Sequence, residues 1–358
     1  MSENSLNRRD FLMSGSLLGA TFATSSIFKD LVQARQGKEP LKAAFSSAGL
    51  AGTWNAAGQA TALYFAKLLN VEITWFDGEF DPQKQRAKFD QLATQKWDFV
   101  AVQPNSIGTL KEPIQTLTKN HTAVIDMDTL LVPLSDLFNI GVLTFIAPNN
   151  VFMAEAVNTR LFEKMGGKGK VAHIMGQQGH TGAQGRGQGF RNVLAKNPNI
   201  KVAAEEYGDW DVNKAAALTQ TILNKNPDLT GLFADNDDMA LAARKVVDDA
   251  GLGKQVYVAG IDAMQPAIQA VKDGKLVATA RNSTTRIHGW AVFAGVLAST
   301  TGLDKARNSI PHFVLADGPA IYADIDTNPA LANTPWMLNN YGLSPADGLI
   351  WAENQYLF

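Results

Sequence analysis

From residue 41 onward the sequence alternates short apolar runs with helix-forming stretches, and that alternation limits the fold more than any other feature. Apolar runs at 41–46, 71–76, 99–102, 123–127 and 142–147 are separated by segments with helical apolar spacing, such as Ala60, Leu63, Tyr64, Ala66 and Leu68. The pattern then restarts, with strand-like runs at 170–175, 202–207, around Leu232, at 256–261 and at 276–280. Strands separated by helical stretches of roughly 10–15 residues mean βαβ units and parallel sheets. About ten such strands are too many for one compact unit, and 358 residues suffice for two cores. The predicted architecture is α/β: two doubly wound parallel-sheet lobes joined by a hinge, with a ligand cleft between them. The first lobe takes residues 41–145 and, after the chain recrosses, about 283–310; the second takes 146–282. Residues 311–358, rich in Pro, Asn and Asp, are expected to form an irregular extension packed on the lobes.

Open α/β sheets bind ligands beyond the carboxyl ends of their strands, where loops border a crevice and helix N–H groups point into it. The sharpest such place is residues 231–243, an apolar run followed by Asp235-Asn236-Asp237-Asp238 and then a helical Met239-Ala240-Leu241. Other strand ends offer Ser46, Ser47, Gly52, Thr53, Trp54 and Asn55; Asp77; Gln103 and Asn105; Asp126, Asp128 and Thr129; Asn149 and Asn150; Gln177, Gln178, His180 and Arg186; Asp209, Trp210 and Asp211; and Asp262, Gln265, Arg281 and Asn282. Planar amides donate and accept, carboxylates accept from two sides, and a guanidinium donates as a fork. Each hydroxyl of a polyol both donates and accepts, so this mixture suits a polyhydroxylated ligand. An indole face suits the C–H side of a sugar ring.

Composition narrows the partners. A net charge of −2 gives no electrostatic reason to expect nucleic acid. The absence of cysteine removes disulfides, thiolate metal sites and cysteine nucleophiles. Asn7-Arg8-Arg9-Asp10-Phe11-Leu12-Met13, followed by a mildly apolar Ser/Gly-rich stretch at 14–28, resembles a bacterial twin-arginine export signal. The resemblance implies that residues 1–34 are a leader handled by the twin-arginine translocase, cleaved after Ala34 or Ala23. The mature chain is then expected to be soluble in a periplasm.

Over residues 41–297 the chain resembles the ribose-binding-protein family of periplasmic sugar receptors. The resemblance rests on Gly185-Arg186-Gly187-Gln188-Gly189-Phe190, Gly208-Asp209-Trp210-Asp211, Phe233 to Leu241, Val258-Ala259-Gly260-Ile261-Asp262 and Asp273 to Thr279, in that order. It implies the type I periplasmic binding protein fold, delivery of a monosaccharide or polyol to an ABC permease, and no cofactor, metal or catalysis. It also implies a pocket of Trp54, Asn55, Gln103 and Asp128 in the first lobe, with Arg186, Trp210, Asn236, Asp262 and Asn282 in the second. Arg186, Asn236, Asp262 and Asp128 would hold hydroxyls, and Trp54 and Trp210 would sandwich the ring. Two departures bear on the ligand. The family's Asn-Pro-aromatic-aromatic first loop is Gly52-Thr53-Trp54-Asn55 here, and the arginine after the first-lobe aspartate is Thr129. Ribose is therefore no better an expectation than another pentose, a hexose, an alditol or a cyclitol.

Other readings of the same residues were weighed. Gly185, Gly187 and Gly189 are spaced like a dinucleotide loop, but they fall where the helix has already begun. Asp126, Asp128 and Asp235 to Asp238 would suit a metal, yet capping and hydroxyl binding explain clustered carboxylates equally well. Within the stretch, Asn236 is the expected ligand contact, and Asp235, Asp237 and Asp238 are expected to cap the helix or support it. The histidines 121, 173, 180, 288 and 312 lack zinc spacing, and only His180 falls near the cleft. Asp128 and Asp262 would supply the two carboxyls of a glycosidase, so an exported carbohydrate-active enzyme is one alternative. A sugar receptor feeding a signalling partner is another. A repressor of this fold would need a DNA-binding segment where the leader stands.

Overall fold

The computed structural model describes residues 25–316; Arg8, Arg9 and the extension beyond Ala316 lie outside them. In chain order the elements are α1 (Ser25–Arg35), β1 (Leu41–Ser47), α2 (Thr53–Leu68), β2 (Val71–Asp77), α3 (Pro82–Leu92), β3 (Phe99–Val102), α4 (Lys111–Lys119), β4 (Ala123–Met127), α5 (Leu134–Leu137) and β5 (Thr144–Ala147). The second half gives α6 (Asn150–Lys164), β6 (Gly169–Met175), α7 (Thr181–Leu194), β7 (Ile200–Tyr207), α8 (Val212–Lys225), β8 (Leu229–Ala234), α9 (Asp237–Asp249), β9 (Tyr257–Ala259) and α10 (Gln265–Lys272). The chain then returns through α11 (Thr284–Thr301), α12 (Leu303–Ser309) and β10 (Phe313–Leu315).

The strands form two sheets, ordered β10-β5-β4-β3-β1-β2 and β7-β6-β8-β9, and every pairing is parallel. The inner strands β3 and β4 are buried throughout, which is why their sequences are apolar apart from Asp126 near the end of β4. The outer strands β2 and β7 expose much of their length and carry charged residues. Hydrophobic clusters cover both faces of each sheet, two clusters to a lobe. Strand order reverses between β1 and β3 in one sheet and between β6 and β8 in the other, so each lobe has its crevice at that switch point. The chain crosses between lobes at 147–150 and again at 281–284, after which α11 packs along α2 and β4.

Two expectations need correction. Residues 276–280 form no regular strand, though they run beside β9, with Val277 N donating to Val258 O at 2.8 Å and Gly260 N to Ala278 O at 3.1 Å. The segment after Pro311 is not irregular from its start, because Phe313–Leu315 adds an edge strand to β5. Helix α1 packs on the first lobe, with Leu31 buried in its core and Arg35 donating to Glu39 O and Asn70 O. Among the described residues no helix is long and apolar enough to cross a membrane.

Candidate functional site

The carboxyl ends of both sheets face each other across a cleft of about 390 Å³, its mouth included. All nine residues picked out in the sequence line it: Trp54, Asn55, Gln103, Asp128, Arg186, Trp210, Asn236, Asp262 and Asn282. None is more than 9% exposed. Ala48, Gly52, Phe80, His180 and Asp238 complete the lining. Asp128, Trp210, Asp262 and Phe80 all have left-handed or related positive φ (60°, 63°, 126° and 52°), conformations that non-glycine side chains adopt only where surrounding structure holds them.

The first-lobe half is built on Asp128, just past β4. Gln103 Nε2 donates to its Oδ2 at 3.0 Å and Thr129 Oγ1 at 3.1 Å, which leaves Oδ1 for a ligand. His180, from the second lobe, stands beside Thr129. Its Nδ1 accepts from Gly182 N at 3.1 Å, so its Nε2 carries the proton and donates to Thr129 Oγ1 at 2.8 Å. Burial pushes the His180 imidazole down to about 4, so it is neutral at pH 7. A neutral imidazole–hydroxyl pair thus stands beside Asp128. Trp54 is tied to the hinge: its Nε1 donates to Asn282 O at 3.0 Å, Thr284 Oγ1 donates to Trp54 O at 3.1 Å, and its ring meets His288 edge-on.

Arg186 organises the second-lobe half. From α7 it donates to Asn150 Oδ1 at 3.0 Å, to Asp262 Oδ1 at 2.9 Å and to Asp235 O, and its guanidinium lies 5.6 Å from the Trp210 ring. Burial pushes the Asp262 carboxyl up to about 7, although Arg186 and the Asn282 amide pull the other way. Trp210 lies against Gly176, where any Cβ would overlap the indole.

The Asp235–Asp238 run divides its labour differently from the expectation. Asn236 itself caps α9, its Oδ1 accepting from Met239 N at 3.0 Å, while its side chain also borders the cleft. Asp237 is buried behind it, accepting from Met264 N and Thr279 Oγ1, and burial raises its carboxyl well above the usual range. Asp235 accepts from His173 Nε2 at 2.8 Å and from Gly176 N at 2.7 Å. Burial acts to lower the His173 pKa, but the Asp235 and Glu205 carboxylates overcome it and raise the imidazole. A buried His173–Asp235 hydrogen bond therefore stands directly behind the backbone oxygen that holds Arg186. Asp238 reaches across the cleft to Thr53 N at 2.9 Å and Thr53 Oγ1 at 2.8 Å.

Asp126 does not join Asp128: it turns inward, accepts from Leu131 N at 3.0 Å, and burial raises its carboxyl. The reading of the sequence missed Phe80. The signal for it was present, since Gly78-Glu79-Phe80-Asp81 repeats the pattern of Gly208-Asp209-Trp210-Asp211 at the equivalent strand end.

The comparisons agree with this architecture. The family described as periplasmic binding protein domain matches residues 43–298. Among known proteins the chain is similar to a D-allose-binding periplasmic protein of Escherichia coli, 28% identical over 257 residues, which cover 70% of this chain and 82% of that one. It is also similar to a xylitol-binding protein of Mycolicibacterium smegmatis, 27% identical over 235 residues, which span 65% of each chain. A crystal structure of an ABC transporter periplasmic solute binding protein from Actinobacillus succinogenes with bound D-allose aligns with a TM-score of 0.71 at 25% identity, covering 79% of this chain and 97% of the other. With two switch-point crevices closed on one polar cleft and a match across both lobes, the chain belongs to the periplasmic binding protein family.

Proposed function

We propose that this protein is an exported receptor that closes its lobes on one small, uncharged sugar or polyol and hands it to an ABC permease without chemical change. One observation carries the reading. Three buried polar atoms on cleft-lining residues, Asn55 Oδ1, Asn282 Oδ1 and Trp210 Nε1, have no hydrogen-bond partner among the described residues. Buried polar atoms are left unpaired only at a cost, and hydroxyls, which donate and accept, would satisfy both kinds. The cleft is small, about 390 Å³ even with its open mouth counted, which favours a single ring or a short chain. The similarity to proteins named for allose and xylitol supports the same class. The residues at positions 8 and 9 support export by the twin-arginine route to a periplasm.

Thermal-shift and calorimetric screening against monosaccharides, alditols and cyclitols tests the proposal. A cognate ligand at a hundred times its dissociation constant should stabilise the protein by about 2.7 kcal/mol, with no product formed. Asn236→Ala should weaken binding by about 1–3 kcal/mol and the ligand-free fold by about 1 kcal/mol through the lost cap. Asn236→Ser keeps a capping oxygen and should lose affinity alone. Turnover of a glycoside, or saturable binding of a sugar acid in place of neutral sugars, would overturn the reading.

A further inference from the structure

The turn Gly78-Glu79-Phe80-Asp81 after β2 and the turn Gly208-Asp209-Trp210-Asp211 after β7 are built alike. Each follows the outer strand paired with its lobe's first strand, in registers that end at Ser47↔Asp77 and Met175↔Tyr207. Gly78 N donates to Ser47 O at 2.9 Å, and Gly208 N to Met175 O at 2.7 Å. The acidic and aromatic residues are left-handed in both, with φ of 53° and 52° in one and 55° and 63° in the other. Asp81 and Asp211 then cap the following helices. Lys84 and Lys214, at matching positions, pair with Glu79 and Asp209. The cleft therefore presents two aromatic side chains on equivalent turns, one from each lobe.

Phe80 differs from Trp210 in what it touches. Its ring lies on the β1–α2 loop, so close that a Cβ at Gly49 would overlap it, and it is near Gly52 as well. It also packs against the second-lobe core cluster that contains Trp210. Its carbonyl accepts from Gln177 Nε2 of the second lobe at 3.1 Å. One half-buried side chain thus rests on its own lobe's β1–α2 loop and packs on the second lobe across the cleft, and the second set of contacts exists only when the lobes are closed. At this end of the cleft the Thr53–Asp238 hydrogen bonds are exposed, so water replaces them readily, while the buried His180–Thr129 hydrogen bond joins the lobes elsewhere.

We infer that Phe80 is a specificity-determining residue that shuts the cleft, holding the lobes together by its own packing and limiting the ligand to a single ring or a short polyol. The size limit rests on the receptor reading proposed above; the closure does not. The chain has no cysteine, so Lys119→Cys and Lys225→Cys, exposed positions on opposite lobes, give a spin-label pair for interlobe distances in the otherwise native protein. Without added sugar, Phe80→Ala should reduce the closed population at least tenfold. Gly49→Ala, which displaces the ring and leaves it intact, should do the same, while Phe80→Leu should retain part of it. With a sugar that binds the native protein, Phe80→Ala should raise the dissociation rate at least tenfold and admit a disaccharide extended at that end. A folded Phe80→Ala variant with an unchanged interlobe distance distribution overturns the inference. If no sugar binds the native protein, the receptor reading fails, yet the distance measurement still decides whether Phe80 closes the lobes.

Discussion

Arg186→Ala is expected to abolish ligand binding and to destabilise the protein by about 3–5 kcal/mol, the usual result of removing one partner from a buried ion pair. The guanidinium is buried and joins four separate parts of the second lobe: Asn150 at the start of α6, Asp235 at the end of β8, Asp262 beyond β9 and the Trp210 ring after β7. Without it, Asp262 keeps only the Asn282 amide, a 3.3 Å contact, and Asn150 Oδ1 loses its donor. Arg186 also holds down the pKa of Asp262, so in the variant that carboxyl should take a proton, which moves the loss toward the lower end. Asp262→Asn in the same chain should recover much of the stability and none of the binding. Urea denaturation and titration calorimetry on the single and double variants separate the two effects. Arg186→Ala with native stability and affinity would remove Arg186 from the site.

Affinity should rise steeply with pH up to about 7 and then level off. Asp262 has its carboxyl pushed up to about 7, so in the ligand-free cleft it is protonated on the acid side of that value. A sugar hydroxyl donates best to the ionised form, so binding at lower pH must first release this proton. One proton released corresponds to about tenfold in affinity per pH unit, or about 1.4 kcal/mol, so that binding at pH 5 should be roughly a hundredfold weaker than at pH 8. Stability without ligand should run the other way. Because the folded pKa of Asp262 lies above its ordinary value of 3.8, its contribution is full below that value and is lost as pH rises through about 7. His173, also raised on folding, loses its contribution as pH rises from its ordinary 6.5 through its folded value. Calorimetric titrations and melting curves from pH 5 to 8 should therefore diverge, and Asp262→Asn should flatten the binding curve. An affinity independent of pH in the native protein would show that Asp262 receives no ligand hydroxyl.

The sheet architecture was legible because parallel strands buried on both faces read as short apolar runs, and polar residues collect where those runs end. Gln103, Asp128, Arg186 and Asn282 stood in that longer set of strand-end polar residues, and the family resemblance singled them out before any contact was known. β10 was not legible, since three residues carry no periodicity and their pairing with Thr144–Ala147 joins segments far apart in the chain. Phe80 was overlooked because one aromatic residue in a loop has no local mark of a role; only the repeated turn gives it one. The capping by Asn236, where three neighbouring aspartates offered the same chemistry, depended on which side chain the backbone at that strand end turned toward Met239 N.

The sequence by itself determined where the strands end and which polar residues gather there, because strand periodicity and turn chemistry are local. What only the tertiary structure decided is the state of those residues. His173 meets Asp235 from 62 positions away, Arg186 meets Asp262 from 76, and Asp238 meets Thr53 across the cleft from 185. Charge, tautomer and pairing in the cleft follow from burial and from partners distant in sequence. Folding within the second lobe fixes the first two pairs, and closure of the two lobes fixes the third.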